Sequence, residues 1–182
     1  MTDASVAAKR PDLLVINPGG RAKTYQELGG DLTAIEPPLW SRLIAGNALD
    51  QGFDVQMIDA EALGWRPERI STEVTAIDPL LVAVVVFGHQ PSASTQQMAA
   101  AGELCRSIKA DNEEMKIIIL GGHVSALPEK TLQEEAVDYV CNGEGPLTIT
   151  ALLTAFAAEE PDFSVVPGLV WWDDEKVCHN LP

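Results

Sequence analysis

The residues best suited to chemistry sit in four glycine-bearing segments: Asn17 to Gly20, Gly88 to Pro91, Gly121 to His123, and Gly143 to Gly145. A neutral imidazole, as in His89, is a competent ligand for a transition metal. A glutamine amide such as Gln90 is a poor one and better suited to holding a water. Glycine removes the Cβ that would keep a flat or bulky ligand off the backbone, and exposed N–H groups there can bind phosphate or amide oxygens. A purely structural reading stands beside this one. Pro91 and Ser92 can simply start a helix, Ser94 and Gln97 can form a capping box, and His89 can be a polar loop residue.

Each segment ends an apolar run, so the elements that must position it are legible in the pattern. Asp12–Gly20 reads as a buried strand, Trp40–Gly52 as an amphipathic helix closed by glycine, and Phe53–Asp59 as the next strand. Glu68–Asp78 predicts a helix, Pro79–Gly88 the most apolar strand, and Ser92–Ala110 a long helix on small residues. Met115–Gly122 follows as a fourth strand, Pro128–Ala136 as a short helix, Val137–Gly143 as a fifth strand and Pro146–Glu160 as a closing helix. Continuous Val/Ile/Leu strands alternating with helices require a parallel sheet covered on both faces. The expected fold is α/β: a flavodoxin-like (Rossmann-like) doubly wound five-stranded parallel sheet of order 2-1-3-4-5. Its ligand crevice lies at the carboxyl ends of strands 1 and 3. Val166–Asn180 alternates around an acidic turn at Asp173 and Asp174 and predicts an appended β-hairpin. The expected organisation is a tail over 1–11, the α/β domain over 12–160, and a hairpin linker over 161–182.

Composition limits the partners. A chain of 182 residues, 46% hydrophobic and 21% charged, is large enough for one domain with its own core. A formal charge of −15 repels nucleic-acid phosphates and anionic lipid alike, so neither nucleic acid nor membrane is an expected partner. Cys105, Cys141 and Cys178 show no metal-ligand spacing, and the first two sit among apolar neighbours as core residues. No signal segment or run near the roughly 20 apolar residues of a membrane span is present, which points to a reduced, cytoplasmic setting. There is no GxxxxGK[ST] loop, no GxGxxG after strand 1, and no acidic pair there of the kind a phosphoacceptor needs. Nucleotide hydrolysis and phosphorelay lose ground accordingly.

The ordered set "INPGG", "EPPLWSRLIAGNALDQGFDVQMIDAE", "FGHQPSAST", "ILGGHVSALPEKTL", "VDYVCNGEGPLTI" and "VPGLVWW" resembles the N-terminal cobalamin-binding domain of B12-dependent radical-SAM enzymes. In that family the corrin lies over the carboxyl edge and the nucleotide tail inserts beside the sheet. The resemblance implies hydroxo- or methylcobalamin as cofactor, with Asn17 and Pro18 bordering the crevice. It puts Gly88, His89, Gln90, Pro91, Ser92 and Ser94 beneath the macrocycle. Gly121, Gly122, Ser125 and Ala126 would flank the tail, and Gly143, Glu144 and Gly145 would approach its far side. His123 would hydrogen-bond the tail or remain a solvated loop residue.

Departures from related patterns matter too. Methionine synthase-like cobalamin domains carry D-x-H-x-x-G after strand 1, and the loop here has no histidine. Either cobalt has no protein ligand on its lower face or the strand 3 loop provides one, with His89 the candidate metal ligand and Gln90 a close polar neighbour. The CxxxCxxC of the radical-SAM barrel is also absent from the 182 residues, so the iron–sulfur cluster and S-adenosylmethionine belong to a separate catalytic domain, in cis or in trans. By itself this module is expected to bind without turnover. The connection Thr24–Pro38 is a candidate cover for the corrin edge.

Two rival readings remain open. A flavin- or nucleotide-binding flavodoxin-like protein could use the same edge, with Tyr25 and Trp40 as its few stacking residues. A ligand-free interaction domain could dock a partner through Trp171 and Trp172, the glycine loops being turns. The same hairpin is a candidate for weak self-association.

Overall fold

All residues of β3 (Leu81–Val86) are buried, and so are Leu13 to Ile16 of β1 (Leu13–Asn17) and every residue of β4 (Ile117–Gly121). Only a sheet packed on both sides gives such strands a place. Full burial of a Val, Leu or Ile side chain contributes about 1.5–3 kcal/mol, so these three strands anchor the domain. The computed structural model describes residues 10–20, 35–88 and 91–182.

The sheet has seven strands in the order β2-β1-β3-β4-β5-β6-β7. The first five, completed by β2 (Val55–Asp59) and β5 (Tyr139–Cys141), pair in parallel, as the sequence predicts. Alternate residues feed two cores. Leu13, Val15, Ala83, Val85, Ile118 and Leu120 face α1 (Leu39–Asp50) and α7 (Pro146–Phe156), packing on Ile44, Ala48, Ile149 and Leu152. Leu14, Ile16, Val82, Val84 and Ile119 face α3 (Pro67–Ile77) and α4 (Pro91–Asp111), packing on Ile70, Val74, Ala101 and Leu104. The chain thus leaves β1 for one face and β3 for the other. The switch between those two strands opens a crevice at their carboxyl ends.

Two short helices escape the sequence reading. α2 (Ala60–Leu63) is capped by Asp59, whose carboxylate accepts from Ala62 N at 3.2 Å, and it ends at Gly64 with φ 61°. α5 (Gly122–Ala126) starts directly at the end of β4, ahead of α6 (Pro128–Glu134). Four or five residues carry too little periodicity to register.

The hairpin is more than an appendage. β6 (Leu169–Asp173) pairs antiparallel with β5, and β7 (Lys176–His179) pairs with β6, so the sheet continues through both. Asp174 makes the turn with φ 53°. Leu169 and Val170 are buried, one in each core, and Trp171 packs edge-on to Phe163 at 6.3 Å while Trp172 is 41% exposed. Polar ties hold the hairpin down. Thr148 Oγ1 donates to Pro167 O at 2.7 Å, Asn180 Nδ2 reaches Phe163 O and Val166 O, and His179 Nε2 lies 2.9 Å from Glu129 Oε1.

Candidate functional site

The carboxyl ends of β1, β3, β4 and β5 form one rim, and hydroxyl groups fasten its loops together. Ser94, four residues into α4 and only 1% exposed, donates its hydroxyl proton to Val86 O at the end of β3. The same oxygen accepts from His123 N at 3.0 Å. Ser94 therefore joins β3, α4 and α5, and the capping-box reading fails because the hydroxyl is engaged across the sheet instead of at its own helix terminus. Ser125 plays the matching role one strand on. Its Oγ donates to Gly143 O at 3.2 Å and accepts from Gly143 N at 3.1 Å, tying α5 to the loop after β5. Thr95 Oγ1 and His123 Nδ1 share a hydrogen bond of 3.0 Å, which orients the half-buried imidazole.

The glycines divide into two kinds. A Cβ on Gly88 would collide with Ala93, one on Gly121 with the carbonyl of Val86, and one on Gly145 with the side chain of Leu120. These three are required by the protein's own packing, a reason that ligand approach does not supply. Gly122 and Gly143 differ, since a Cβ there would find its nearest neighbours at 3.8 Å (Ser94 Cβ) and 4.0 Å (Pro182 Cβ). Gly122 begins α5 and Gly143 follows β5, and both leave room where a ligand could approach backbone.

At the β1 side, Asn17 Nδ2 donates to Asp59 Oδ1 at 2.9 Å, fixing the end of β1 to the end of β2. Pro18 and Gly19 are buried, and Gly19 (φ 70°) leaves a Cβ position only 2.8 Å from Glu61 Oε2. Gly20 lies over α4, where its Cβ position is 3.4 Å from Ala100 Cβ and 4.0 Å from Gln97. Gln97 itself went unrecognised as a site residue. Its Oε1 is buried without a hydrogen-bond partner among the described residues.

Other expected positions are less informative. Pro91 and Ser92 are the first residues of α4, and Ala126 and Glu144 are exposed on the rim. His89 and Gln90, including the expected cobalt ligand, lie outside the described residues, as do Tyr25 and most of the connection Thr24–Pro38. Trp40 stacks on Phe87, centroids 4.5 Å apart and 22° between planes, so one face of its ring is taken.

The electrostatics favour binding over acid–base or thiolate chemistry. Burial pushes the Cys105 thiol up to about 12 and the Cys141 thiol to about 11, so both stay protonated core residues as the sequence suggests. Glu135 is raised by burial, offset by Arg106 at 3.3 Å and by His123. Among the described residues, no three His, Cys, Asp or Glu side chains gather to hold a metal ion, and no helix is long and apolar enough to cross a membrane. The N-termini of α4 and α7 meet the rim and add a field that favours an anionic group.

Comparison with known proteins places this arrangement. Residues 27–153 match the model of the B12 binding domain. The chain is 29% identical over 150 residues to the anaerobic magnesium-protoporphyrin IX monomethyl ester cyclase of Synechocystis sp., covering 80% of this chain and 28% of that protein. Among solved structures it resembles TsrM from Kitasatospora setae, a radical S-adenosylmethionine methyltransferase with cobalamin and a [4Fe-4S] cluster bound. That match has TM-score 0.72 and 18% identity, over 93% of this chain and 28% of that one. OxsB, a cobalamin-dependent S-adenosylmethionine radical enzyme with aqua-cobalamin bound, gives TM-score 0.73 and 19% identity over 95% of this chain and 22% of that one. The chain thus spans less than a third of the proteins it matches. With the family model covering most of its length, this chain belongs to the B12-binding domain family, and its cofactor is cobalamin.

Proposed function

We propose that the chain holds cobalamin across the carboxyl rim of its sheet and presents it to a radical-SAM catalytic domain, in cis or in trans, for methyl transfer or related radical chemistry. The observation that carries this reading is the family match over residues 27–153, which spans the loops after β3, β4 and β5. The rim fits such a group on its own geometry. Gly122 at the start of α5 and Gly143 after β5 leave open backbone, and Gln97 keeps a buried acceptor with no partner among the described residues.

In this reading the corrin rests above Gly88 and the start of α4, and the nucleotide tail lies against Gly122, Ser125 and Ala126. Gly143 to Gly145 close its far side. Asn17 and Pro18 bound the crevice at β1, and His123, oriented by Thr95, offers a polar contact. Ser94 and Gly121 act through position: the hydroxyl is already engaged and the glycine admits the β3 carbonyl, so both shape the floor. Bound cobalamin supplies the cobalt-centred chemistry, while the chain binds it, orients it and controls access to its faces. The hairpin over 161–182, with Trp172 exposed, serves as the junction to the catalytic domain.

Mixing the purified chain with hydroxocobalamin and desalting it tests the reading. Retained colour with a shifted visible spectrum is the expected result; a colourless protein in both oxidised and reduced conditions sinks it. Ligation by His89 is tested in the same spectrum, because a His89→Ala variant whose bands stay put removes that ligand. A chain that is yellow as isolated would favour flavin.

A further inference from the structure

We infer that Gln97 is a cobalamin-binding residue, its side-chain carbonyl accepting a hydrogen bond from an N–H or O–H of the cofactor. This rests on the reading of the rim as the cobalamin site. Buried polar atoms in folded proteins are nearly always paired, because an unpaired one gives up its water contacts without replacement. Among the described residues Gln97 Oε1 is the buried side-chain oxygen that breaks this rule. Its neighbours in the helix do not: Ser94 is satisfied on both sides and Thr95 pairs with His123.

Its location makes the orphan meaningful. Gln97 stands one turn beyond Ser94 on α4, at the face where Gly20 of the β1 loop crosses the helix, so that a Cβ added to Gly20 would lie 4.0 Å from the Cα and Cγ of Gln97. That is the crevice between β1 and β3 where the chain changes face. A glutamine there is also a poor choice for packing alone. The adjacent Met98, Ala100 and Ala101 are apolar and buried, and a leucine would satisfy the same space without an unpaired oxygen. An acceptor retained at that point calls for a donor. Cobalamin offers two kinds, the amide N–H groups around the corrin and the ribose hydroxyl of the nucleotide tail.

The test uses Gln97→Leu, with Gln97→Met as a second variant of similar volume, and three measurements: thermal unfolding without cofactor, titration with hydroxocobalamin, and titration with cobinamide, which lacks the nucleotide. The expected result is an unliganded protein at least as stable as the parent that binds hydroxocobalamin about three- to tenfold more weakly, the value of one neutral hydrogen bond. A parallel loss for cobinamide assigns the donor to a corrin amide; an unchanged cobinamide affinity assigns it to the ribose. Parental affinity for hydroxocobalamin in both variants overturns the inference. Failure of the underlying reading looks different, since the parent chain itself would then retain no cobalamin.

Discussion

The two edges of the sheet are built from different chemistry. At the amino edge, charged side chains clamp the strand starts. Asp12 accepts from Asp54 N at 2.8 Å, Asp138 accepts from Ile117 N at 2.7 Å and pairs with Lys109 at 2.8 Å, and Arg10 donates to the carbonyls of Asp78 and Pro79. At the carboxyl edge the fasteners are mostly hydroxyls and an amide: Ser94, Ser125, Thr95 with His123, and Asn17, which donates to Asp59, separated by glycine. Charges at the first edge satisfy backbone groups and finish the fold. Short hydroxyls at the second edge satisfy backbone groups of neighbouring loops, an arrangement that suits the proposed cofactor site. One edge is closed for stability, and the other is held open.

Substitutions can break or sharpen this contrast. The largest effect is expected at Gly121→Ala, where the new Cβ meets the Val86 carbonyl. A loss of about 3 kcal/mol, the upper range for overpacked cores, should appear in denaturant unfolding. Ser94→Ala leaves Val86 O and His123 N without their shared partner and should cost about 2 kcal/mol, with the floor of the rim loosened. Gly122→Ala should separate stability from binding. Its Cβ meets no atom closer than 3.8 Å, so unfolding should shift by less than about 0.5 kcal/mol, while cobalamin affinity falls about tenfold. Equal affinity would place the cofactor away from α5. The amino edge supplies the control. Asp138→Asn, partly exposed and paired with Lys109, should cost about 1 kcal/mol and leave cobalamin affinity unchanged.

The smallest effect concerns Cys141, the thiol at the carboxyl end of β5. Burial holds it near 11 and Cys105 near 12 against an ordinary 9.0. Folding therefore favours the protonated thiols, and their contribution is complete below pH 9 and lost as the pH climbs through those values. Native protein at pH 8 should react with a thiol reagent only at Cys178, and the denaturation midpoint should decline above pH 9. Rapid labelling of Cys141 would mean that this thiol is reachable from solvent and not part of the closed core.

Much of this was legible in the chain. The apolar runs at Leu13–Ile16, Leu81–Val86 and Ile117–Leu120 can only be doubly covered strands, and their spacing by helices dictates the parallel order. The motifs "FGHQPSAST" and "ILGGHVSALPEKTL" stand at the carboxyl ends of β3 and β4, the edge where the sequence puts them. What each rim residue does there was not legible. Gly88 and Gly121 look like openings for a ligand, yet they are occupied by the protein's own packing. Ser94 and Gln97 share a spacing that suits a helix cap. In the fold one crosses to β3 while the other is left with a buried, unpaired oxygen.

The sequence by itself determined which segments become strands and helices, which edge carries the loops and which family the chain resembles, because hydrophobic period and turn chemistry are local properties. Only the tertiary structure decided which glycines have open space beside them and which face their own neighbours, which hydroxyls are already engaged, and that β6 and β7 extend the sheet. Those outcomes depend on atoms brought together from Val86, Ser94 and His123, or from Gly20 and Gln97, and distance along a chain does not encode such meetings.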